Sequence, residues 1–270
     1  MANANLENKL THVKSAPYIL HIRAAFAWVG GKSRLAKEII SIMPEHKSYI
    51  EVFGGALSVF YQKDPSKIEI VNDINGNLIN LHRIIKTRPQ SLAIELNSML
   101  KSREMFYLIK QGRLKPRNDI QRAAMYYYLI VMSFGSKKQH FAMSKTRAAK
   151  DIYKSFNVYS KRLKHAVIEN MDFEKLINSY DNKDALFYLD PPYVGTENYY
   201  TTPSGFNINE HEKLCEILKN IQGKFILSYN DCEVVRDLYK DFNIKEIGVK
   251  YSLNGKVRNK VSSELIITNY

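Results

Sequence analysis

Cysteine is scarce in this 270-residue chain, which contains only Cys215 and Cys232 and no CxxC pair. Two isolated thiols indicate neither a disulfide framework nor a cysteine-rich zinc site. Long hydrophobic runs are also lacking, because the longest apolar stretch, residues 123–132, is far shorter than a transmembrane helix requires. Residues 1–14 contain no apolar segment of the kind that signal peptides have. We therefore expect a soluble protein of the reducing cytoplasm.

Acidic residues are scarce in one part of the chain. Residues 81–165 contain 19 Lys and Arg but four acidic residues, a net charge of +15, whereas the remaining chain has 21 basic and 23 acidic residues, a net charge of −2. A near-neutral body with one strongly basic segment is typical of nucleic-acid-binding proteins. A solubilising surface or a membrane-attracted patch are the alternatives, but a membrane helix would need a clear apolar face. Because the basic residues are spread over several predicted helices, we favour a polyanion that the segment wraps.

The hydrophobic pattern predicts an α/β protein with a helical insertion. Short apolar runs alternate with amphipathic stretches on both sides of the basic segment, whereas the segment itself reads as helices. The last two predicted strands flank Asn254-Gly255 and are expected to pair as an antiparallel hairpin. The expected organisation is one domain formed by residues 21–80 and 166–270, a basic insertion at 81–165, and an N-terminal arm at 1–20.

The most informative turn is Asp190-Pro191-Pro192-Tyr193, which follows an apolar run at residues 185–189. The run reads as a buried strand, and neither proline can donate to a sheet ladder, so the strand ends there. Asp190 and Tyr193 would then lie at the carboxyl end of a strand, where open α/β sheets bind ligands. A carboxylate, a backbone carbonyl at Pro191 and a flat ring suit an amino group on a planar base. The alternative is a simple loop in which Asp190 is a turn residue.

A Gly-Lys-Ser sequence at residues 31–33 invites comparison with a phosphate-binding loop. That loop needs a glycine five residues before Gly31, and the position holds Phe26. A nucleoside triphosphatase is therefore only weakly indicated. A helix is expected from Ser33, as its N-cap, to Met43.

Two further predicted strands end in residues that can bind a ligand. A strand at residues 49–53 runs into Gly54-Gly55 and an expected helix at 56–61, so a ligand could approach the backbone closely at this junction. Asp73 follows the next strand, about 20 residues later, where an acidic residue typically binds the hydroxyls of an adenosine-type ribose. Asp73 could instead cap the helix that follows, and the two roles are compatible.

The basic segment contains two loops with candidate phosphate and base contacts. One loop joins the predicted helices 89–110 and 121–132, and the other covers residues 133–150 and includes Phe134 and Phe141. The tyrosines at 126–128 are assigned to the core, and His140 is assigned to phosphate rather than to base catalysis. The candidate nucleic-acid contacts are Arg113, Lys115, Arg117, Lys137, Lys138, Gln139, His140, Lys145 and Arg147.

Four segments of the chain together resemble the Dam-like, D12 class adenine-specific DNA methyltransferases. Their order and spacing agree over nearly the whole chain, and residues 264–269 are similar to the last strand of the family. The resemblance implies a Rossmann-like S-adenosylmethionine-dependent methyltransferase sheet with an antiparallel last strand and an inserted helical DNA-recognition region. The four segments are Trp28-Val29-Gly30-Gly31-Lys32, Tyr49-Ile50-Glu51-Val52-Phe53-Gly54-Gly55, Asn72-Asp73-Ile74-Asn75 and Asp190-Pro191-Pro192-Tyr193.

The resemblance also implies a cofactor, a partner and a set of site residues. The cofactor is S-adenosylmethionine, and the partner is double-stranded DNA, with which a cytoplasmic enzyme would associate at the nucleoid. Neither a membrane nor an obligatory protein partner is expected. Asp73 would hold the ribose, and Phe173, with Asp172, would lie against the adenine ring of the cofactor. The implied cofactor-binding residues are Trp28, Gly30, Gly31, Lys32, Glu51, Phe53, Gly54, Gly55, Asp73, Asp172, Phe173 and Asp190.

The chemistry of the Asp190–Tyr193 turn suits methylation of adenine N6, whose lone pair is conjugated into the ring. Acceptance of both N6 hydrogens by Asp190 and the Pro191 carbonyl would favour a pyramidal, nucleophilic nitrogen. The base must be flipped out of the duplex, and Tyr193 would stack on it. No metal is required, and Asp190, at an ordinary pKa of about 3.9, would serve as an ionised acceptor.

Methylation of cytosine N4 or of RNA adenine, and a non-catalytic DNA-binding module, are the alternatives. GATC specificity is not transferred, because residues 132–141 differ from the recognition stretch of the GATC-specific relatives.

Overall fold

A computed structural model describes residues 22–146, 148–195, 205–250 and 261–270 of the chain. Within these residues, seven strands form one sheet in the order β3-β2-β1-β4-β5-β7-β6. All pairs are parallel except those of β7, which is antiparallel to both β5 and β6. The strands are β1 (Ser48–Glu51), β2 (Ile68–Asn72), β3 (Val167–Glu169), β4 (Ala185–Leu189), β5 (Lys224–Asn230), β6 (Asn243–Lys250) and β7 (Val261–Thr268).

Helices connect the strands, and five of them lie in the long connection between β2 and β3. A short 3₁₀ turn, Phe134–Ser136, follows the longest of these five helices. The α-helices of the described residues are α1 (Ala36–Ser41), α2 (Gly76–Thr87), α3 (Pro89–Ser98), α4 (Arg103–Lys110), α5 (Asp119–Val131), α6 (Asn157–Leu163), α7 (Phe173–Tyr180), α8 (Ile208–Lys219) and α9 (Glu233–Leu238).

The hydrophobic core lies on both faces of the sheet, because successive strand side chains point in opposite directions. On β4, Leu186 and Tyr188 pack in a cluster with α2, α5 and α6, whereas Phe187 and Leu189 pack in a second cluster with α7 and α8. Because both faces of the sheet are covered, β4 is buried at every position and its sequence is an uninterrupted apolar run. The expected α/β architecture with an antiparallel last strand is confirmed.

The expected helix at residues 56–61 is wrong. Gly55 and Leu57 have φ values of +50° and +58°, which an α-helix cannot contain, so this stretch forms consecutive turns. The helix expected from Ser33 starts later, at Ala36, and its N-cap residue, Leu35, makes no side-chain capping bond. The helix expected over 89–110 is two helices, α3 and α4, because the chain leaves the helical conformation before Ser102, which caps α4.

The helical connection is attached to the sheet by buried ion pairs. Arg162 of α6 donates to both carboxylate oxygens of Glu69 on β2, at 2.6 and 2.8 Å, and Lys63 donates to the same carboxylate at 2.7 Å. The three side chains are 5%, 4% and 2% exposed. The division of the chain at residues 81 and 165 stays a prediction, and the expected arm at 1–20 and the Asn254-Gly255 turn lie outside the described residues. No described helix combines the length and hydrophobicity that crossing a bilayer would require.

Candidate active site

The candidate site lies where three neighbouring parallel strands end. In the sheet register, Glu51 at the end of β1 is level with Val71 of β2 and Tyr188 of β4. Asp73 and Asp190 therefore come two residues beyond this level on either side of Glu51. The chain runs outward through β2 and β3 on one side and through β4 and β5 on the other, so β1 and β4 form the point at which open α/β sheets bind ligands.

A cleft opens at this edge of the sheet and contains most of the predicted cofactor residues. Asp172 and Phe173 border a smaller depression, which shares Phe53, Ile74 and Phe206 with the cleft. The cleft is lined by Trp28, Val29, Gly31, Lys32, Glu51, Phe53, Gly54, Gly55, Ala56, Ser58, Val59, Asp73, Ile74, Asn75, Lys138, Tyr188, Asp190, Pro192 and Phe206.

One carboxylate oxygen of Asp190 is held by two donors. Lys32 Nζ donates to Oδ1 at 2.6 Å and to the Gly30 carbonyl at 2.8 Å, and Ser228 Oγ donates to the same Oδ1 at 3.1 Å. The Lys32 side chain is 4% exposed, whereas that of Asp190 is 19% exposed. Within the described residues no hydrogen bond reaches Oδ2 of Asp190. The carboxylate is thus fixed through one oxygen while the other can accept from a substrate.

The pKa of Asp190 departs from the ordinary value that the sequence led us to assume. Burial raises the pKa of this carboxyl, whereas the positive charge and hydrogen bond of Lys32 and the bond from Ser228 lower it, and burial prevails. Asp190 therefore accepts a proton at higher pH than a solvated aspartate. This makes it a better proton acceptor than the sequence suggested.

The aromatic residue of the turn, Tyr193, is oriented by Glu264 on β7. Tyr193 Oη donates to Glu264 Oε2 at 3.0 Å, and Lys32 Nζ lies 4.7 Å from the centroid of the Tyr193 ring. Glu264 is 1% exposed, and its Oε1 has no partner among the described residues. Burial raises the pKa of Glu264, opposed by Lys32 and by the Tyr193 bond.

Asp73 and Gly55 form the second fixed part of the cleft. Asp73 accepts from the Gly55 amide at 3.0 Å and from the Asn75 amide at 2.9 Å. The cap of α2 is Asn75, not Asp73, since the Asn75 side chain accepts from two amides of the first turn. A Cβ on Gly55 would lie 2.8 Å from Cδ1 of Trp28, so glycine is required here by the packing of the indole as well as by φ.

Glu51 forms the buried floor of the cleft. Its Oε2 accepts from Tyr49 Oη at 2.7 Å and from the Phe60 amide at 3.0 Å. Burial raises the pKa of Glu51 to about 8, despite both hydrogen bonds, and the nearby Asp190 adds to the rise. The cleft therefore contains an acidic group whose pKa lies close to neutral pH.

The predicted nucleic-acid contacts are mainly surface residues, with one exception. Arg113, Lys115, Arg117, Lys137, Gln139, His140 and Lys145 are exposed, whereas Arg147 lies outside the described residues. The exception is Lys138, whose Nζ lies over the Trp28 ring, 4.5 Å from its centroid, on the wall of the cleft. Phe141 is buried rather than available to bases, and the tyrosines at 126–128 belong to the core, as expected.

Sequence reasoning missed Ser228, Glu264, Phe206 and the orientation of Lys138. Ser228 interrupts the apolar run of β5, and Glu264 directly precedes the apolar run of β7. Both are buried, and a buried polar residue beside apolar strand residues is a usable signal of a specific role. Phe206 and Lys138 are in loops whose path depends on tertiary packing. For these two residues the sequence contains no comparable signal.

Two features place the chain among Rossmann-like α/β methyltransferases. One is the seven-stranded sheet of the described residues, in which β7 is the antiparallel strand, and the other is the cleft between Asp73 and Asp190. Residues 28–253 match the family described as D12 class N6 adenine-specific DNA methyltransferases. The chain belongs to this family and is an adenine-specific DNA methyltransferase. The family match does not favour the cytosine, RNA or non-catalytic alternatives.

Curated relatives of similar length support this placement. The chain is 29% identical to the type II methyltransferase M1.LlaDCHI of Lactococcus lactis subsp. cremoris, covering 93% of this chain and 96% of the relative. It is 27% identical to the type II methyltransferase M.MjaIII of Methanocaldococcus jannaschii, covering 93% and 100%. It is 25% identical to the DNA adenine methylase of Haemophilus influenzae, covering 93% and 94%.

Proposed function

We propose that this enzyme transfers the methyl group of S-adenosylmethionine to N6 of an adenine flipped out of double-stranded DNA. The observation that carries the proposal is the asymmetric carboxylate of Asp190 in the same cleft as Asp73. One oxygen is held by Lys32 and Ser228, and the other makes no hydrogen bond within the described residues. An acceptor that is fixed but not satisfied suits an exocyclic amino group.

The cleft fits the proposed cofactor in its chemistry. Trp28, Phe53 and Phe206 supply flat apolar walls, and the carboxylate of Asp73 supplies an acceptor and negative charge. Glu51 adds negative charge once it loses its proton. When bound, S-adenosylmethionine supplies a methyl group on a positively charged sulfur. Acidic side chains in a partly desolvated cleft stabilise such a cation more strongly than they would in water.

Each half of the cofactor has residues suited to it. Asp73 lies just beyond β2, in the position that acidic residues take in nucleotide-binding sheets, and would accept from the ribose hydroxyls. Phe173 and Asp172 border the adjacent depression, where Phe53 and Phe173 have ring centroids 5.8 Å apart, and an adenine ring could pack there. Glu51 and the Gly54-Gly55 turn line the same cleft and would contact the methionine portion.

The Asp190–Tyr193 turn would activate and orient the target nitrogen. Oδ2 of Asp190 and the carbonyl of Pro191 would accept the two N6 hydrogens and favour a pyramidal nitrogen. The raised pKa of Asp190 helps the carboxylate to take up the proton that N6 must lose after methylation. Holding both reactants in this geometry can supply much of the rate acceleration.

Tyr193 is the proposed stacking partner of the flipped base. Its hydroxyl is anchored by Glu264, and the resulting fixed ring can offset part of the few kcal/mol that unstacking a base costs. Pro191 and Pro192 are buried and restrict the backbone of the turn, so the ring is held from both ends.

DNA is proposed to contact the exposed basic residues near the cleft. Lys110, at the end of α4, donates to the carbonyl of Gln139 at 2.8 Å and thereby joins the two candidate loops. Gln139 is adjacent to Lys138, which lines the cleft, so the exposed cations begin at the edge of the candidate active site. Such cations bind phosphates without regard to sequence.

The direct test is transfer of labelled methyl from S-adenosylmethionine to unmodified duplex DNA, followed by digestion to nucleosides. We expect the label in N6-methyladenine and none with Asp190→Ala. Label in N4-methylcytosine, or efficient transfer to RNA but not to DNA, would refute the proposed substrate. Mapping modified adenines on a plasmid would then identify the recognition sequence.

A further inference from the structure

Lys138 belongs by sequence to the basic loop between α5 and α6, but its side chain lies in the cleft that we assign to the cofactor. Its Nζ is 4.5 Å from the centroid of the Trp28 ring and 5.6 Å from that of Tyr126. Burial lowers the pKa of Lys138, and the negative charge of the nearby Asp73 carboxylate opposes this lowering. A residue expected on the DNA surface therefore forms part of a different site.

The backbone of the loop is specifically arranged to direct this lysine inward. Lys138 has φ of +59°, in the left-handed region, and its amide donates to Ser133 Oγ at 2.9 Å. Ser136, two residues earlier, also has φ of +59°. Long side chains rarely adopt this conformation, and residues that do so are concentrated at functional sites.

The ammonium of Lys138 is also the cation that remains available in the cleft. Among the described residues that line it, Lys32 and Lys138 are the basic ones. Lys32 is committed to Asp190 and the Gly30 carbonyl. Within the described residues, Lys138 Nζ makes ring contacts but no hydrogen bond or ion pair.

The charges of the cleft indicate what this cation would bind. Asp73 and Asp190 make the cleft acidic, and Glu51 adds to this charge when it ionises. This charge suits the positive groups of S-adenosylmethionine but repels its carboxylate. An ammonium can bind that carboxylate through charge-assisted hydrogen bonds. We propose, on the basis of the proposed function, that Lys138 binds the carboxylate of the methionine portion of the cofactor.

The test compares two ligands that differ in the amino-acid portion. S-adenosylhomocysteine has the amino-acid portion with its carboxylate, and 5′-methylthioadenosine has a methyl group in its place. Calorimetric titration of the DNA-free protein therefore reports the contribution of that portion, and the Lys138 variants report which part of it depends on a cation. Lys138→Gln should weaken the binding of S-adenosylhomocysteine by about tenfold or more, since one charge-assisted hydrogen bond is lost. The affinity for 5′-methylthioadenosine should not change.

Two further variants serve as controls. Lys138→Arg keeps the charge and should recover most of the affinity for S-adenosylhomocysteine. Lys137→Gln removes an exposed neighbouring charge and should leave the affinities for both nucleosides unchanged.

Three outcomes would overturn the proposal. Equal losses for both nucleosides in Lys138→Gln would show that the residue does not act on the carboxylate. Unchanged affinities, together with a DNA-binding salt slope smaller by about 0.9, would make Lys138 a phosphate contact. If the unsubstituted protein bound neither nucleoside nor S-adenosylmethionine, the assignment of the cofactor itself would fail, and the Lys138 proposal with it.

Discussion

Replacement of Ser228 by alanine tests whether β5 holds the Asp190 carboxylate for catalysis. Ser228 Oγ donates to Asp190 Oδ1 at 3.1 Å, and it lies 3.3 Å from Tyr188 Oη. A hydrogen bond to a charged group contributes about 1.5–3 kcal/mol. Because 3.1 Å is long for a bond between two oxygens, the lower value applies. We therefore expect kcat/KM of Ser228→Ala to fall by roughly tenfold.

The pH profile distinguishes this effect from general damage to the fold. The bond from Ser228 favours the ionised carboxyl and so lowers the pKa of Asp190, against burial, which raises it. Without Ser228, burial is less opposed and the pKa rises further. Activity depends on ionised Asp190, so it is present above this pKa and is lost as the pH falls through it. The acidic limb of kcat/KM should consequently move to higher pH in the variant.

The assay is the initial rate of methyl transfer to duplex DNA across the range from about pH 5 to 9. Ser58→Ala is the matched control, because Ser58 also lines the cleft but its hydroxyl lies 3.2 Å from that of Ser33. A Ser228→Ala profile that coincides with that of Ser58→Ala, in both rate and acidic limb, would refute the role of Ser228.

Three other perturbations address the rest of the site and its attachment to the sheet. Binding of the positively charged cofactor should displace a proton from Glu51, whose pKa is about 8. The affinity for S-adenosylmethionine should therefore rise as the pH increases through that value. Calorimetry in buffers of different ionisation enthalpy should detect the released proton. Arg162→Met leaves the buried carboxylate of Glu69 without its bidentate partner and should lower the free energy of unfolding in urea by about 3 kcal/mol. Gly55→Ala brings a Cβ within 2.8 Å of the indole in the cleft and should abolish measurable binding of S-adenosylhomocysteine.

Each of these predictions has a control variant. Glu51→Gln should remove the proton release, and release that persisted in it would assign the proton elsewhere. Arg162→Lys keeps one charge and should lose less stability than Arg162→Met. Gly112→Ala has a similar positive φ but nothing within 4 Å of the new Cβ, so it reports backbone strain alone. If it impaired binding as much as Gly55→Ala, contact with the indole would not be the cause.

Much of the fold could be predicted because its strands are short and clearly bounded. The strand at 185–189 has the limits that its apolar run predicted, since a strand covered on both faces needs apolar residues at consecutive positions. The edge strand at 167–169 also has its predicted limits, although none of its residues is buried. The helix expected at 56–61 failed because Gly55 and Leu57 have positive φ, and the backbone of Gly55 is bonded to Asp73 and His82 in other segments. Periodicity alone contains no information about such contacts.

The residues of the candidate site also differ in whether the sequence could predict them. Asp73 and Asp190 follow their strands directly in sequence, so the end of each strand is sufficient to locate them. Ser228 and Glu264 reach Asp190 and Tyr193 only because β5 lies beside β4 and β7 pairs with β5. Strand order across a sheet is a long-range property that short motifs do not contain.

The charged residues separate what the sequence determines from what the tertiary structure determines. By itself, the sequence determined that residues 81–165 have a net charge of +15 and that short motifs resemble those of adenine methyltransferases. Only the tertiary structure decided that the charge of Arg162 is buried against Glu69 and that Lys138 points into the cleft. The physical reason is that the net charge of a segment depends only on its composition. Which group a charged side chain contacts depends instead on how packing orients the backbone that carries it.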